Sequence, residues 1–178
     1  MLAVADAPLL MGEARRHAGE AAAEAGCEAG EPCDFVREFA QKLPLSAIGE
    51  MMGLPSDDWM RLKTLTNVMI GAPEVDFFRA DETRNQGVQR AVEEMTDYMI
   101  RVVHDHRTRG ADGRDLCNLI VHSQIDGKPL TEQQIQGYLF VILAAGNETT
   151  QNAITGGIHA LLEHPDQREL LCSAPSLV

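Results

Sequence analysis

The chain contains 178 residues, with 15 basic and 27 acidic side chains and therefore a formal charge of −12. A strongly acidic chain without a basic recognition helix is poorly suited to a phosphate backbone, so we exclude nucleic acid as its main partner. Hydrophobic residues make up 44% of the chain but aromatic residues only 4%. A core of Leu, Ile, Val, Met and Ala favours packed helices over a β-sandwich, and we predict an all-α fold.

The sequence shows no sign of a membrane segment, a secretory leader or a disulfide framework. Its longest apolar run, Tyr138 to Ala145, is far shorter than the roughly 20 residues of a transmembrane helix. The first residues lack a basic leader followed by an apolar stretch. The cysteines have no two-residue spacing of the kind found in zinc sites; they are Cys27, Cys33, Cys117 and Cys172. We therefore expect a cytoplasmic protein.

The first part of the chain differs in composition from the rest. Residues 1–33 are rich in Ala and Glu and almost lack large apolar side chains after residue 12, which predicts a weakly determined helical end. Apolar residues recur at helical spacing from Asp34 onward. We therefore treat residues 34–178 as the folded domain.

Local signals predict two helices early in this domain. Pro44 fits the first turn of a helix, where its missing N–H costs nothing, and Gly53 fits the left-handed position that ends it. Ser56 is predicted to cap the next helix, with Asp57 and Asp58 in its first turn, where the helix dipole favours carboxylates.

Two longer helices follow. Apolar residues step by three or four from Asp81 to Arg109, which predicts a helix of about 40 Å. The Asp-Gly pairs at 112–113 and 126–127 predict turns on either side of a short helical stretch. Thr131 and Gln134 form a capping box, and nothing breaks the helix before Pro165, a span of about 48 Å. A further short helix starts at Pro165.

The longest predicted helix carries polar residues at its centre. Residues 146–150 interrupt an apolar pattern, and five small side chains share roughly one face: Ala145, Gly146, Thr149, Ala153 and Gly156. A flat group could therefore approach the backbone on that face. A hydroxyl beside a carboxylate, as at Thr149 and Glu148, can deliver protons. The alternative is that Glu148 and Thr150 face solvent while the glycines allow close helix packing.

The order of these residues resembles a known family. The segment Ala145-Gly146-Asn147-Glu148-Thr149-Thr150 resembles the central-helix signature of the cytochrome P-450 family, the haem-thiolate monooxygenases. Residues 162–167 (Leu-Glu-His-Pro-Asp-Gln) resemble the start of that family's next helix. Residues 43–45 (Leu-Pro-Leu) and 52–55 (Met-Gly-Leu-Pro) resemble its Leu-Pro and Leu-Gly-Val-Pro segment.

The resemblance implies the central portion of the cytochrome P-450 fold and a role for each motif residue. Ala145, Gly146 and Thr150 would border the haem and its oxygen-binding groove, Thr149 would hydrogen-bond the bound dioxygen, and Glu148 would relay protons. The implied partners are O2, a hydrophobic substrate such as a steroid or branched lipid, and a ferredoxin or flavoprotein reductase that supplies electrons.

The resemblance is incomplete at the haem ligand. The family's loop reads Phe-x-x-Gly-x-x-x-Cys-x-Gly, and none of the four cysteines has that Phe and trailing Gly. Because this loop is missing, no thiolate metal ligand can be named. The family's later Glu-x-x-Arg pair is missing too. We interpret the chain as the middle of a monooxygenase and expect it to be inactive alone.

The sequence disfavours two metal-binding functions and leaves one other function open. A metal site at His104-Asp105-His106 is disfavoured, because adjacent residues on a helix point about 100° apart. A di-iron bundle requires Glu-x-x-His, and no histidine has Glu three residues before it. A non-catalytic helical interaction module or regulator remains the alternative, and it would not take up haem.

Overall fold

The computed structural model of the chain describes residues 16, 19, 34–70, 78, 82–111 and 113–174. The predicted all-α fold is confirmed, because strands in this part of the chain are confined to one short hairpin. In order from residue 34, the elements are a π-helical turn (Val36–Ala40), α1 (Lys42–Met51), α2 (Ser56–Met69), α3 (Arg84–Arg109), α4 (Leu116–Val121), β1 (Gln124–Ile125), β2 (Lys128–Pro129), α5 (Glu132–Glu163) and α6 (Pro165–Ser173).

The chain divides into two compact units. One is Leu45–Asn147, and the other comprises the described residues up to Pro44 and from Glu148 onward. Most of residues 1–33 lie outside the described part, so the predicted boundary at residue 33 stays a prediction.

Helix α1 begins and ends as its sequence predicts. Pro44 lies in its first turn. Gly53 adopts φ +67°, the left-handed conformation that favours glycine, and its N–H donates to the Glu50 carbonyl at 2.9 Å. The next helix differs by one residue, because Ser56 is its first residue and the capping position belongs to Pro55, which makes no side-chain capping bond. The prediction that Ser56 is the N-cap is therefore wrong, although Asp57 and Asp58 do lie in the first turn.

Both long helices start at a capping box. In α3 the Thr83 side chain accepts from the Gln86 backbone, and the Gln86 side chain accepts from the Thr83 backbone at 2.8 Å. The predicted start near Asp81 lies outside the described residues. In α5 the predicted pair is confirmed, since Thr131 N–H donates to Gln134 Oε1 at 2.9 Å. Helix α5 then runs unbroken to Glu163, and Pro165 opens α6.

The predicted turn at residues 126–127 connects the two strands of the hairpin. Asp126 (φ 51°) and Gly127 (φ 74°) both have positive φ, as a type I′ hairpin turn requires. The strands pair antiparallel, with Gln124 opposite Pro129. Strands of two residues are too short to show alternation, which is why the sequence pattern predicted only the turn.

The core of the unit Leu45–Asn147 is built from α2, α3, α4 and α5. Helix α3 packs against both α2 and α4. The core is mainly aliphatic, as the composition predicted, with Tyr98 buried in it and Trp59, Phe78 and Phe140 packed against it. Its most buried large side chains include Met52, Leu62, Val68, Met99, Val103, Ile135 and Leu139.

The remaining unit contributes short helical segments. Phe35 and Phe39 stack in the π-helical turn with ring centroids 5.2 Å apart. Helix α6 buries no residue fully. Across the described helices of both units, none combines the length and apolar character needed to cross a bilayer.

Candidate functional site

The polar motif lies near the middle of α5 without interrupting it. On the N-terminal side, α5 buries residues at four-residue spacing, and this stripe comprises Ile135, Leu139, Leu143 and Asn147. The first three are apolar, so the stripe changes to a polar side chain where the motif begins. The helix continues through the motif for a total of 32 residues.

Asn147 is the buried polar group of the motif. Its residue is 3% exposed, and its Oδ1 has no hydrogen-bond partner among the described residues. A buried acceptor without a donor costs about 1–3 kcal/mol. Asn147 was assigned no role from the sequence, and its continuation of the four-residue buried stripe was the signal that could have identified it.

Gly146 has a packing role. A Cβ added at this position would lie 2.7 Å from Cδ1 of Ile48 on α1, closer than side chains tolerate. Close packing at Gly146, one half of the alternative interpretation, is therefore observed. It does not extend to Gly156, where an added Cβ would meet no atom of the described residues within 4 Å.

The other predicted site residues occupy more open positions on the helix. Ala145, Thr149 and Thr150 are exposed, and Glu148 is half-buried. Ala145 and Thr149 are one helical turn apart, so a small side chain and a hydroxyl follow each other along the same face of α5. The half-buried carboxylate comes directly before that hydroxyl in the chain. This arrangement offers a donor and acceptor hydroxyl next to a group that can exchange protons with water.

The described cysteines differ sharply in environment. Cys117 is fully buried, and burial, aided by the Asp115 charge, raises the pKa of its thiol to about 12. Cys172 is exposed on α6. Cys27 and Cys33 lie outside the described residues.

A second group of side chains converges away from the motif. His104 and Asp105 have exposed side chains, at 80% and 62%, whereas the His106 residue is only 4% exposed. The three adjacent residues therefore do not enclose one ion. His106 instead lies with Asp115 and Cys117, and one ligating atom of each falls within 4.8 Å of the others. This cluster was not predicted from the sequence, although His106 continues the buried stripe formed by Met95, Met99 and Val103 on α3.

Comparison with known proteins identifies the family. The sequence profile of the family described as Cytochrome P450 matches residues 59–171. The chain is 34% identical over 145 residues to the polyketide biosynthesis cytochrome P450 PksS of Bacillus subtilis, covering 82% of this chain and 33% of that protein. The solved structure of PksS superimposes with a TM-score of 0.79 at 30% identity, covering 95% of this chain and 40% of that one.

Two further relatives carry names that describe a reaction. The steroid C26-monooxygenase of Rhodococcus jostii is 35% identical over 139 residues, covering 77% of this chain and 27% of that protein. The methyl-branched lipid omega-hydroxylase of Mycobacterium tuberculosis is 35% identical over 136 residues, covering 76% and 30%. The chain belongs to the cytochrome P450 family, as the resemblance predicted, and it spans about a third of the length of these relatives.

The described residues fit one side of the haem that this family uses. Ala145 and Thr149 leave an exposed, uncrowded helix face on which a flat ring can lie. The other side requires a thiolate ligand, and the described cysteines do not supply one in the family's manner. Neither Cys117 nor Cys172 has the Phe and trailing Gly that flank the ligand in the family's loop.

Proposed function

We propose that this chain forms the oxygen-binding side of a haem-thiolate monooxygenase that hydroxylates a hydrophobic substrate. The observation that carries the proposal is the segment Ala-Gly-Asn-Glu-Thr-Thr at residues 145–150, held in an unbroken helix with Ala145 and Thr149 exposed one turn apart. Membership of the cytochrome P450 family supports the assignment.

Each motif residue has a separate task in this proposal. Ala145 has only a methyl group, so it keeps the helix face clear for the haem and for dioxygen. Gly146 lacks a side chain, so α5 can lie close to Ile48 of α1 at this position. Thr150 borders the haem, in accord with its exposed position one residue beyond Thr149.

Thr149 and Glu148 handle protons. The Thr149 hydroxyl can accept one hydrogen bond while donating another, so it can hold a proton beside dioxygen without itself becoming charged. Glu148 is half-buried and can exchange protons with water before passing them toward the hydroxyl. When bound, the haem supplies the electron-rich, thiolate-ligated iron at which dioxygen is cleaved. The electrons come from a ferredoxin or a flavoprotein reductase.

The substrate is proposed to be a steroid or a branched lipid. Two relatives near 35% identity have names that specify a steroid and a methyl-branched lipid, and a third acts in polyketide biosynthesis. The compounds in these names are all large, mostly apolar molecules. The proposal therefore covers the chemical class and leaves the individual compound to experiment.

The test replaces the Thr149 hydroxyl. The assay uses the longest polypeptide that the gene encodes, supplied with haem, reductase, O2 and a steroid or branched lipid. In it, Thr149→Ala should lower the rate of substrate hydroxylation by about 10²-fold, because the proton held by the hydroxyl is lost. Electrons should then appear as hydrogen peroxide. Thr149→Ser retains the hydroxyl and should restore coupling. The measurement is the ratio of product to peroxide per electron consumed.

The matched control is Thr155→Ala on the same helix. The Thr155 hydroxyl donates to the Gln151 carbonyl at 2.9 Å, so its removal changes a local hydrogen bond without touching the motif. Coupling should stay at the wild-type level. Equal coupling in the Thr149→Ala and wild-type proteins would contradict the role of Thr149. If the longest polypeptide that the gene encodes takes up no haem at all, the monooxygenase proposal fails and a helical interaction module is favoured.

A further inference from the structure

The residues His106, Asp115 and Cys117 are brought together by the turn between α3 and α4. His106 lies in the last turn of α3, Asp115 caps α4, and Cys117 lies in the first turn of α4. One nitrogen, one oxygen and one sulfur atom fall within 4.8 Å of one another. The group is well shielded, since His106 is 4% exposed, Cys117 is fully buried and the Asp115 side chain is 25% exposed.

The His106 ring nitrogen is directed at this group without a hydrogen bond. Its Nδ1 is buried and has no partner among the described residues. The nearest carboxylate atom, Oδ1 of Asp115, is 3.7 Å away, beyond hydrogen-bond range. A buried polar atom is normally paired, so an orphaned nitrogen facing a carboxylate and a thiol indicates a missing group between them.

The spacing suits a divalent metal ion. Tetrahedral zinc has bonds of about 2.0–2.3 Å to nitrogen, oxygen and sulfur, which places neighbouring ligand atoms about 3.3–3.7 Å apart. The observed distance between His106 Nδ1 and Asp115 Oδ1 matches that separation. The same Oδ1 accepts from the Asn118 backbone N–H at 2.8 Å, which fixes the orientation of the carboxylate.

A cavity borders the cluster at His106. A cavity of about 380 Å³ is lined by His106 together with Gly53, Asp105 and Arg109. A larger residue would not fit at position 53, because its Cβ would lie 2.7 Å from Cγ of Asp115. Because His106 lines this cavity, water can approach the cluster at that residue, and water fills the fourth position in many zinc sites.

We propose that His106, Asp115 and Cys117 bind one zinc-type divalent cation, with water from this cavity as the fourth ligand. The ion joins the end of α3 to the start of α4 and is separate from the proposed oxygen chemistry. Binding displaces the thiol proton of Cys117, which leaves to solvent, and the resulting thiolate is held by the metal.

The test uses cobalt as a visible substitute for zinc. In the full chain with Cys27→Ser, Cys33→Ser and Cys172→Ser, Cys117 is the only remaining thiol. Titration with Co²⁺ should produce a thiolate-to-cobalt absorption band that saturates at one ion per chain. His106→Gln in this background should weaken Co²⁺ binding by at least about 10–100-fold, the loss that follows even from disturbing the groups around a metal ligand. The matched variant His104→Gln, at an exposed neighbouring histidine, should bind as before.

A second measurement uses the chain with all its cysteines. Zn²⁺ should raise the thermal unfolding midpoint of the wild-type and His104→Gln chains and leave that of His106→Gln unchanged. The proposal is overturned if the single-thiol chain is helical by circular dichroism yet gives no thiolate band. It is equally overturned if Zn²⁺ shifts the His104→Gln and His106→Gln chains by the same amount.

Discussion

Individual residues in this chain acquire their chemistry from burial more than from type. Cys117 and Cys172 are both thiols, but one is fully enclosed and the other is exposed. Burial disfavours the charged thiolate and raises the pKa of Cys117 from 9.0 to about 12. Its thiolate fraction at neutral pH is therefore about a thousandfold below that of an ordinary cysteine.

This difference predicts selective modification. In the metal-free native chain, iodoacetamide should label Cys172 readily and Cys117 at least about 100-fold more slowly, because the reagent requires an accessible thiolate. Site-resolved mass spectrometry over a time course gives both rates. In denaturant the two rates should converge. Comparable labelling under native conditions would show that Cys117 is not enclosed.

At the scale of elements, α5 combines a tightly packed glycine with an open one. Gly146 is in contact with α1 through Ile48, whereas Gly156 faces open space. Both glycines weaken the helix relative to alanine, by about 1 kcal/mol each, through backbone entropy. Close packing explains why a glycine stands at residue 146 despite this loss, but it does not explain the glycine at residue 156.

The two glycines should respond oppositely to alanine. Gly156→Ala should raise the free energy of unfolding by about 0.5–1 kcal/mol, since it gains helix propensity without a clash. Gly146→Ala should show no gain or a loss, because its Cβ would meet Cδ1 of Ile48 at 2.7 Å. Denaturant unfolding followed by circular dichroism measures both.

A double variant separates the clash from other effects. Ile48→Val removes the Cδ1 atom, so Gly146→Ala should be tolerated better beside Ile48→Val than alone, with a coupling of about 0.5 kcal/mol or more. Additive effects of the two substitutions would argue against the contact as the reason for the glycine.

At the scale of the whole molecule, acid affects stability in two opposing ways. The net charge of −12 causes self-repulsion that decreases as the pH falls toward the isoelectric point near 4.8. Specific ion pairs are lost at lower pH. Glu94 on α3 accepts from Arg61 on α2 at 3.1 Å and from Arg90 at 3.3 Å, and these bonds, Arg61 first, lower the pKa of Glu94 below 4.5.

The direction of this pKa shift predicts the pH range in which Glu94 contributes to the free energy of unfolding. A carboxylate whose pKa is lowered by folding adds stability above its unfolded value and loses it as the pH falls through the folded value. Glu94→Gln should therefore cost about 0.5–1 kcal/mol near neutral pH, a range suited to partly exposed pairs. The difference from wild type should disappear as the pH falls below 4.5.

Comparison between variants removes the effect of net charge. Glu93→Gln changes the same charge on the same helix, but Glu93 accepts from Gln89 rather than from an arginine. Its stability should follow the wild-type pH profile apart from a uniform offset. Identical profiles for the Glu93 and Glu94 variants would show that the arginine contacts add nothing specific.

Features set by neighbouring residues could be predicted from the sequence. Pro44, Gly53, the Thr131 capping box and Pro165 mark helix ends through effects that act within one turn, and the structure has helix ends at each of them. The motif at residues 145–150 was readable for the same reason, since its members are consecutive. The small error at Ser56 arose where a proline took the capping position.

Features that join distant residues required the tertiary structure. Helical periodicity places Gly146 on a face but does not say that Ile48, almost a hundred residues earlier, fills the space beside it. His106 and Cys117 meet only because the chain reverses between α3 and α4, and burial there leaves a ring nitrogen with no hydrogen-bond partner among the described residues. The sequence by itself determined the family, the helices and the consecutive polar segment at residues 145–150. The packing of α5 against α1 and the cluster of three ligands were decided by the fold, because such contacts depend on how helices cross, which no local spacing encodes.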